Sequence, residues 1–224
     1  MESFFSLFST EKETDVDAHY RRRILAEYKE RRPSYEEFAV VIHRLLDAML
    51  KEAGYKYQTT YRTKAPERLR EKLIRKGAAG TKYSRLGDVE DLAGIRVLFY
   101  SETDTKRFLN DLKKEVGESL TVEERREKSG YEATHVVLSL GPKRLQLSEY
   151  RHLAGLKCEV QITSVLRHAW AEIEHDFIYK DIAGISTKDP ERFARMKKQL
   201  EDILEKYIKK ASVEFEKVMQ EVAD

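Results

Sequence analysis

Apolar residues in the first quarter of the chain recur at helical spacing. Between residues 38 and 50 a hydrophobic side chain returns every three or four positions, which predicts an amphipathic helix. Ser34 begins a capping-box sequence in front of that segment, and Gly54 is suited to end it. An earlier helix over about 20–30 is expected to stop before Pro33, because proline interrupts helices. The N-terminal part therefore predicts two successive helices.

Farther along, segments of strand character alternate with segments of helical character. Runs rich in β-branched and aromatic residues predict strands over 56–63, 94–100, 134–140 and 156–162. Helical patterns predict helices over 67–76, 105–116 and 165–179, and a long final helix that opens at Pro190. Strands and helices in series indicate the α/β (α+β) class, with a mixed central β-sheet flanked by helices and with helical extensions at both ends.

The composition indicates which kinds of binding partner the overall charge of the protein suits. Charged residues make up 37% of the 224 residues, but 42 Lys and Arg against 40 Asp and Glu leave a formal net charge of only +2. This balance argues against a protein that is basic over its whole surface and binds nucleic acid by charge alone. Charge is therefore expected to act in local clusters.

The sequence also bears on location. Cys158 is the single cysteine, so an intramolecular disulfide framework is excluded. No apolar stretch approaches the roughly 20 residues of a membrane span, and the first residues lack the basic and apolar regions of a signal peptide. We therefore expect a cytoplasmic protein that does not associate with membranes.

One basic cluster is suited to phosphate. Seven basic residues fall within fifteen positions: Arg62, Lys64, Arg68, Arg70, Lys72, Arg75 and Lys76. On a helix Arg68, Lys72 and Arg75 share a face, and Arg62 and Lys64 share one side of the preceding strand. Guanidinium and ammonium groups arranged in this way neutralise several phosphate oxygens at once. The alternative is a solvated helix face whose charge is offset by neighbouring glutamates.

An acidic turn precedes the second predicted strand. Asp91 ends this turn and could bind Mg²⁺, which takes one or two carboxylates together with substrate phosphates. Arg96 stands inside the apolar run that follows, where an arginine must either be paired or face a cleft. The alternative is structural, with Asp91 capping a turn and pairing with Arg96.

A second carboxylate lies in the last predicted strand. Glu159 and Gln161 are two residues apart, so their side chains project from the same face of a strand. Asp91 and Glu159 would then be candidate carboxylates on neighbouring strands. A sheet with one solvated face explains the alternation equally well.

Two further segments carry candidate side chains. Tyr131 follows a glycine ahead of a strand and could stack on a base, although an ordinary turn before a core tyrosine is the commoner structure. His168, Glu172 and His175 share one helix face at a spacing compatible with metal ligation. Hydrogen-bonded packing of that helix against the sheet is the preferred interpretation, with His168 nearest a site.

Together these segments resemble the synthetase domain of the RelA/SpoT-homologue family, and especially its small alarmone synthetases. The matching segments follow the family's order: Arg62-x-Lys64 with Lys72 and Arg75, Asp91-x-x-Gly94-x-Arg96, Gly130-Tyr131-x-x-x-His135, Glu159-Val160-Gln161-Ile162 and His168-x-Trp170-Ala171-Glu172-x-Glu174-His175. The resemblance implies a nucleotidyltransferase-like fold and an enzyme of the GTP diphosphokinase type. Such an enzyme moves pyrophosphate from ATP to the 3′-hydroxyl of GDP or GTP, makes the stringent-response alarmone (p)ppGpp and uses Mg²⁺.

The resemblance also implies roles for individual residues. Arg62 and Arg96 would sandwich the adenine of ATP, and Lys64, Lys72 and Arg75 would clamp its phosphates. Arg68 stands where the family commonly has Ser, and it is the further candidate ATP-binding residue on the donor side. The catalytic residues would be Asp91, Glu159 and Gln161, of which Asp91 and Glu159 would hold the metal. The acceptor-binding residues would be Tyr131, His135 and His168.

Departures from the family pattern leave the acceptor open. The family often has Arg or Gln where Glu132 stands and Arg where Thr163 stands, so the expected grip on the acceptor's 5′-phosphates is weaker here. One alternative is a toxic small alarmone synthetase that pyrophosphorylates the 3′ CCA end of tRNA, inhibits translation and has an antitoxin. Basic runs at 20–23 and 29–32 could grip an acceptor stem, or could simply be amphipathic helix surface. A second alternative is a catalytically weak nucleotide- or RNA-binding module of the same fold.

The resemblance further implies the organisation of the chain. We expect a single synthetase domain over 1–224, with N-terminal helices over about 1–54, a catalytic core over 55–180 and a C-terminal helix over 181–224. Small alarmone synthetases often form tetramers, so a homo-oligomer is expected. No room remains for a hydrolase domain before residue 55, and we expect synthesis without alarmone hydrolysis.

Overall fold

The computed structural model describes residues 15–80, 83–117, 120–126, 132–179 and 184–221. Its α-helices are α1 (Asp15–Glu52), α2 (Pro66–Ala78), α3 (Glu102–Val116), α4 (Pro142–Leu145), α5 (Val165–Glu174), α6 (Ile185–Lys188), α7 (Pro190–Ile203) and α8 (Lys209–Glu221). Its strands are β1 (Tyr57–Thr63), β2 (Ala93–Phe99), β3 (Leu120–Arg126), β4 (Glu132–Leu138) and β5 (Cys158–Ser164). Short 3-10 helices lie at Leu86–Asp88 and Arg151–Leu153, and π-helical turns lie at His175–Tyr179 and Leu204–Ile208.

The strands form one mixed sheet in the order β1-β2-β5-β4-β3. β2 and β5 run parallel to each other, and every other neighbouring pair is antiparallel. Because β2 and β5 are parallel, their first residues lie at the same end of the sheet, where Ala93 is opposite Cys158. The predicted mixed α/β architecture is confirmed.

The two faces of the sheet differ because successive side chains of a strand point to opposite sides. In β2, buried residues at 93, 95, 97 and 99 alternate with half-buried ones. The buried face packs against α1 and α3, and Phe108 of α3 contacts Phe99 with ring centroids 5.3 Å apart. The opposite face carries the polar residues of β2 and β5, and it is there that the candidate site lies.

The prediction of two N-terminal helices is wrong, because α1 is a single helix of 38 residues that runs through Pro33. A proline inside a helix costs about 3 kcal/mol, since it lacks the N–H that would bond to the preceding turn. Buried tyrosines on both sides offset this cost: Tyr28 and Tyr35 pack together with ring centroids 5.7 Å apart. Tertiary packing therefore carries the helix through the proline, and Ser34 lies inside it rather than at a cap.

The long helix predicted from Pro190 is present, but a π-helical turn divides it into α7 and α8. Asp189 caps its start by accepting a 2.9 Å hydrogen bond from the backbone N–H of Arg192. The buried Trp170 of α5 donates its Nε1–H to the carbonyl of Leu200 at 2.8 Å, which docks α7 on its own domain. Several apolar side chains of this segment stay exposed: Ile203, Tyr207, Val213, Phe215 and Val218.

The other predicted elements are present with shifted ends. β1 and β2 differ from their predicted ranges by one residue, and β4 and β5 differ by two. β3 was not predicted, because residues 123–126 are all charged and show no alternation of apolar and polar residues. Gly54 has a φ of +69°, which confirms that it follows the end of α1. None of the helices in the described ranges is both long and apolar enough to cross a membrane.

Candidate active site

Polar side chains from three strands meet on one face of the sheet. Gly94 lies opposite Glu159, and Arg96 lies opposite Gln161, in the parallel pairing of β2 with β5. On the other side of β5, His135 of β4 also lies opposite Gln161. Gln161 Nε2 donates to Glu159 Oε2 at 3.1 Å, so the prediction that these two side chains share a face is confirmed.

Asp91 lies between two ammonium groups at the entrance to β2. Its Oδ2 is 2.9 Å from Lys64 Nζ, and its Oδ1 is 2.8 Å from Lys72 Nζ. Burial raises the pKa of Asp91, but the charges of Lys64 and Lys72 outweigh burial and hold that pKa below the usual 3.8. Asp91 is therefore ionised at neutral pH. The alternative in which Asp91 pairs with Arg96 is wrong, since its carboxylate faces the two lysines.

Three separate elements bring this group together. Lys64 follows β1, and its backbone N–H donates to the carbonyl of Leu92 at 2.9 Å, which extends the pairing of β1 with β2 up to Asp91. Lys72 reaches the same carboxylate from α2, whose apolar residues Leu69 and Leu73 are buried. One face of α2 is therefore buried in the core, and Lys72 on another face contacts the Asp91 carboxylate.

Glu159 is the second carboxylate, and it is 9% exposed. Its Oε1 lies 3.1 Å from His135 Nδ1, and because a carboxylate only accepts, His135 is the donor. Burial and the nearby charge of Asp91 raise the pKa of Glu159, whereas His135 and Gln161 lower it, and the net pKa lies below the usual 4.5. Glu159 is therefore also ionised at neutral pH, with oxygens that can accept a hydrogen bond or bind a cation.

The two carboxylates are suited to Mg²⁺ in their donor chemistry. Asp91 and Glu159 supply oxygen ligands, and they lie near the starts of two neighbouring parallel strands: Asp91 two residues before β2 and Glu159 at the second residue of β5. In the part of the chain that the structure describes, no group of three or more His, Cys, Asp or Glu could hold a metal by itself. Mg²⁺ typically takes one or two carboxylates and completes its coordination with water and substrate phosphates, so these residues fit that ion.

Two arginines lie on the same face of the sheet. Arg62 of β1 is paired with Gly94 of β2, and a Cβ built at Gly94 would be 3.8 Å from Arg62 Cγ. Arg96 lies two residues farther along β2 and bonds to Gln161, His168 and Glu172. The structure thus places Arg62, Arg96 and Glu159 on one face of the sheet, with Asp91 just before the start of β2.

The remaining predicted residues have different surroundings. Arg68 is exposed and pairs with Glu71 of its own helix at 2.9 Å. Arg75 lies in the last turn of α2 and is exposed. Tyr131 falls outside the described residues. Thr163 lies two residues after Gln161 in β5 and is 3% exposed.

The helix motif with two histidines is explained by packing. His168 and Glu172 contact Arg96, whereas His175 pairs with the adjacent Asp176 at 3.5 Å. The three side chains therefore do not form one ligand group, and the packing interpretation is confirmed.

Sequence reasoning gave no site role to Tyr28, which the structure connects to the site. Its buried hydroxyl donates to the carbonyl of Lys64 at 2.5 Å. The helical spacing of Tyr28, Tyr35 and Phe38 was a signal that these residues share a buried face, but spacing alone does not reveal which strand that face covers.

The chain matches known proteins in sequence. The family model described as a region found in RelA / SpoT proteins matches residues 61–183, more than half of the chain. The GTP pyrophosphokinase YwaC of Bacillus subtilis (strain 168) is 27% identical over 128 residues, which cover 54% of this chain and 58% of that protein. The match therefore spans less than two thirds of the curated relative.

Solved structures share the fold. Small alarmone synthetase 1 from Bacillus subtilis matches with a TM-score of 0.64 and 21% identity, covering 88% of this chain and 98% of the other. Small alarmone synthetase 2 from Bacillus subtilis has a TM-score of 0.63 and 20% identity, covering 85% and 98%. A GTP pyrophosphokinase family protein from Streptococcus pneumoniae has a TM-score of 0.60 and 23% identity, covering 88% and 94%. From the matched region and this shared fold, the chain belongs to the RelA/SpoT family.

Proposed function

We propose that this protein is an ATP-dependent pyrophosphokinase that makes (p)ppGpp from GDP or GTP. The observation that carries the proposal is a pair of ionised carboxylates beside basic residues. Asp91 precedes β2 and lies between Lys64 and Lys72, and Glu159 lies in the neighbouring strand β5. The matched relative is named a GTP pyrophosphokinase, and small alarmone synthetase 1 from Bacillus subtilis has been solved bound to its product pppGpp and bound to AMPCPP.

The basic residues would bind the donor. Arg62 and Arg96 would stack on the adenine, because planar guanidinium groups pack well on aromatic faces. Lys64 and Lys72 lie side by side at Asp91, where their charges complement phosphate oxygens. Asp91 and Glu159 would hold Mg²⁺, which when bound supplies positive charge against the phosphates. Arg68 and Arg75 stay proposed phosphate ligands on the same helix.

The transfer itself needs a proton acceptor and alignment. Glu159 would take the proton from the acceptor 3′-hydroxyl as that oxygen forms a bond to the β-phosphorus of ATP. The bond from the β-phosphorus to the oxygen that bridges it to the α-phosphorus breaks, and AMP leaves with that oxygen. His135 and Gln161 both donate to Glu159 and so orient its carboxylate. Such reactions depend on positioning and charge more than on covalent chemistry by the protein.

The acceptor side rests on Tyr131, His135 and His168 as inferred from the family resemblance. Pyrophosphorylation of a tRNA 3′ end differs only in the acceptor. The arginines of the N-terminal basic runs have partners within the chain: Arg23 donates to the Ser84 carbonyl at 2.8 Å, and Arg31 pairs with Glu27 at 3.3 Å. These contacts favour the interpretation of the runs as helix surface, and we keep the guanine nucleotide as the proposed acceptor. Alarmone hydrolysis forms no part of the proposal.

The test is a transfer assay with ATP labelled at the β-phosphate, Mg²⁺, and GDP, GTP, ADP or deacylated tRNA in parallel. Label in the guanine nucleotide with release of AMP supports the proposal. Label only in tRNA would move the protein to the tRNA-modifying alternative, and nucleotide binding without transfer would favour a binding module. Labelled ppGpp incubated with the protein is expected to remain intact.

A further inference from the structure

The guanidinium of Arg96 is held at all three of its nitrogens. Its Nε donates to Gln161 Oε1 at 3.4 Å, its Nη1 lies 3.1 Å from His168 Nε2, and its Nη2 lies 3.3 Å from Glu172 Oε1. One of these partners comes from β5 and two come from α5. The Arg96 side chain is 28% exposed, so it remains accessible despite being held.

The arrangement determines which part of the guanidinium stays open. The N–H bonds of an arginine lie in the plane of the group, so hydrogen bonds to them occupy its edges. Stacking on an aromatic ring uses the flat faces instead. A guanidinium that is fixed at its edges keeps a defined plane with its faces available for a base.

We propose that His168 and Glu172 are positioning residues that fix the plane of Arg96 for stacking on the adenine of ATP. The inference rests on the proposed function, because it names what orients one of the donor-binding arginines. It assigns to His168 a role through Arg96 rather than direct contact with the acceptor. Glu172, which the sequence offered only as part of a possible metal-ligating helix face, becomes part of the donor side.

The contact defines the proton on His168. Arginine only donates, so the Nε2 atom of His168 must accept, and the imidazole must be neutral with its proton on Nδ1. Nδ1 points to Glu172 Oε1 at 3.6 Å, an oxygen that stabilises this tautomer. Protonation of Nε2 would place two donors against each other and release Arg96.

The surroundings keep His168 neutral. Burial and the Arg96 charge lower the pKa of His168, while Glu172 raises it, and the net pKa lies below the usual 6.5. Among the described residues, the charged groups that act on the ring are Arg96 from β2 and Glu172 from its own helix. Arg96 is therefore expected to be held through the neutral range and released in acid.

The first test measures equilibrium binding of AMPCPP at about pH 8 and about pH 5.5, on either side of the ordinary histidine range. His168→Ala should raise the Kd about tenfold at the higher pH, as expected for loss of a partner to a charged donor. His168→Gln, whose amide oxygen accepts at every pH, should restore binding at the higher pH and lose less affinity in acid than the wild type. His175→Gln on the adjoining turn is the matched control.

The second test needs no nucleotide. Nitrogen-15 NMR of the imidazole should show His168 as the Nδ1–H tautomer, and Arg96→Gln should raise the pKa of His168 because a positive charge has been removed. A wild type that binds AMPCPP while His168→Ala and Glu172→Ala bind equally well overturns the inference alone, as does an Nε2–H tautomer. A wild type that does not bind AMPCPP overturns the proposed function together with it.

Discussion

The hydroxyl of Tyr28, in the first long helix, donates to the backbone carbonyl of Lys64 at 2.5 Å. Tyr28 is fully buried, and burial, opposed by the charge of Arg32, raises its pKa to about 12, so the hydroxyl keeps its proton. The backbone N–H of Lys64 is bonded in turn to the carbonyl of Leu92. Lys64, whose side chain pairs with Asp91, is thus hydrogen-bonded at both its backbone N–H and its carbonyl. The bond to the carbonyl comes from a helix that is remote in sequence.

Tyr28→Phe should lower both the free energy of unfolding and the affinity for ATP. Loss of the hydroxyl leaves the Lys64 carbonyl without its donor, which costs about 1 kcal/mol. The free energy of unfolding comes from denaturant titration, and the affinity comes from titration with AMPCPP. Tyr35→Phe is the control, since it removes a hydroxyl from the ring that packs on Tyr28. An unchanged affinity in Tyr28→Phe would show that this bond does not position Lys64.

Glu159→Gln should abolish transfer and keep the fold. The amide cannot take the 3′-hydroxyl proton, and it still fits a strand whose apolar side is buried. The assay is AMP release from labelled ATP, with circular dichroism as the measure of folding. Glu90→Gln is the matched control, because Glu90 is a half-buried carboxylate that pairs with Lys157 at 3.1 Å but has no place in the proposed reaction. Turnover by Glu159→Gln at more than a small fraction of the wild-type rate would refute the proton-acceptor role.

Lys72→Met should reduce ATP affinity much more than Arg68→Met. Lys72 is largely buried against Asp91, whereas Arg68 is exposed and paired with Glu71. Because Lys72→Met removes the proposed charge-assisted contact with the ATP phosphates, we expect the KM for ATP to rise about tenfold. Initial rates over a range of ATP concentrations measure this. Equal effects of the two substitutions would mean that the exposed Arg68 contributes as much to ATP binding as the buried Lys72.

Stability should fall in acid, in part through Asp91. Its folded pKa lies below the unfolded value of about 3.8, so the stability it contributes is fully present above that pH. That contribution is lost as the pH falls through the folded pKa. Asp91→Asn should therefore flatten the curve of unfolding free energy against pH between about pH 5 and pH 3.

At neutral pH the same substitution has a second effect. Asp91→Asn leaves Lys64 and Lys72 facing each other without a counter-charge, which should cost about 1–3 kcal/mol. The slope against pH, rather than the stability at one pH, is thus the informative quantity, and chemical denaturation across that range measures it. A slope equal to that of the wild type would mean that Asp91 is not selectively ionised in the folded state.

Sequence reasoning worked best where the chemistry is local. Two-residue periodicity in the last strand placed Glu159 and Gln161 together, and the structure bears this out. It failed at Pro33, where a local rule predicted a break and packing around Tyr28 and Tyr35 kept one helix. It also left Asp91 between two interpretations, a magnesium ligand and a turn cap paired with Arg96, because the sequence does not show which side chains face the carboxylate.

The sequence by itself determined the class of fold, the two carboxylates and the basic cluster, because strand periodicity and helical spacing act over a few residues. The tertiary structure alone decided which side chains pair with Asp91 and with Arg96. Asp91 meets Lys64 and Lys72 because β1 pairs with β2 and α2 follows β1 directly. Arg96 contacts His168 and Glu172 because β5 runs parallel to β2 and α5, which follows β5 directly, packs beside Arg96. Both sets of contacts join residues that are far apart in the chain, and only the burial of the apolar face by α1 and α3 fixes the register that brings them together.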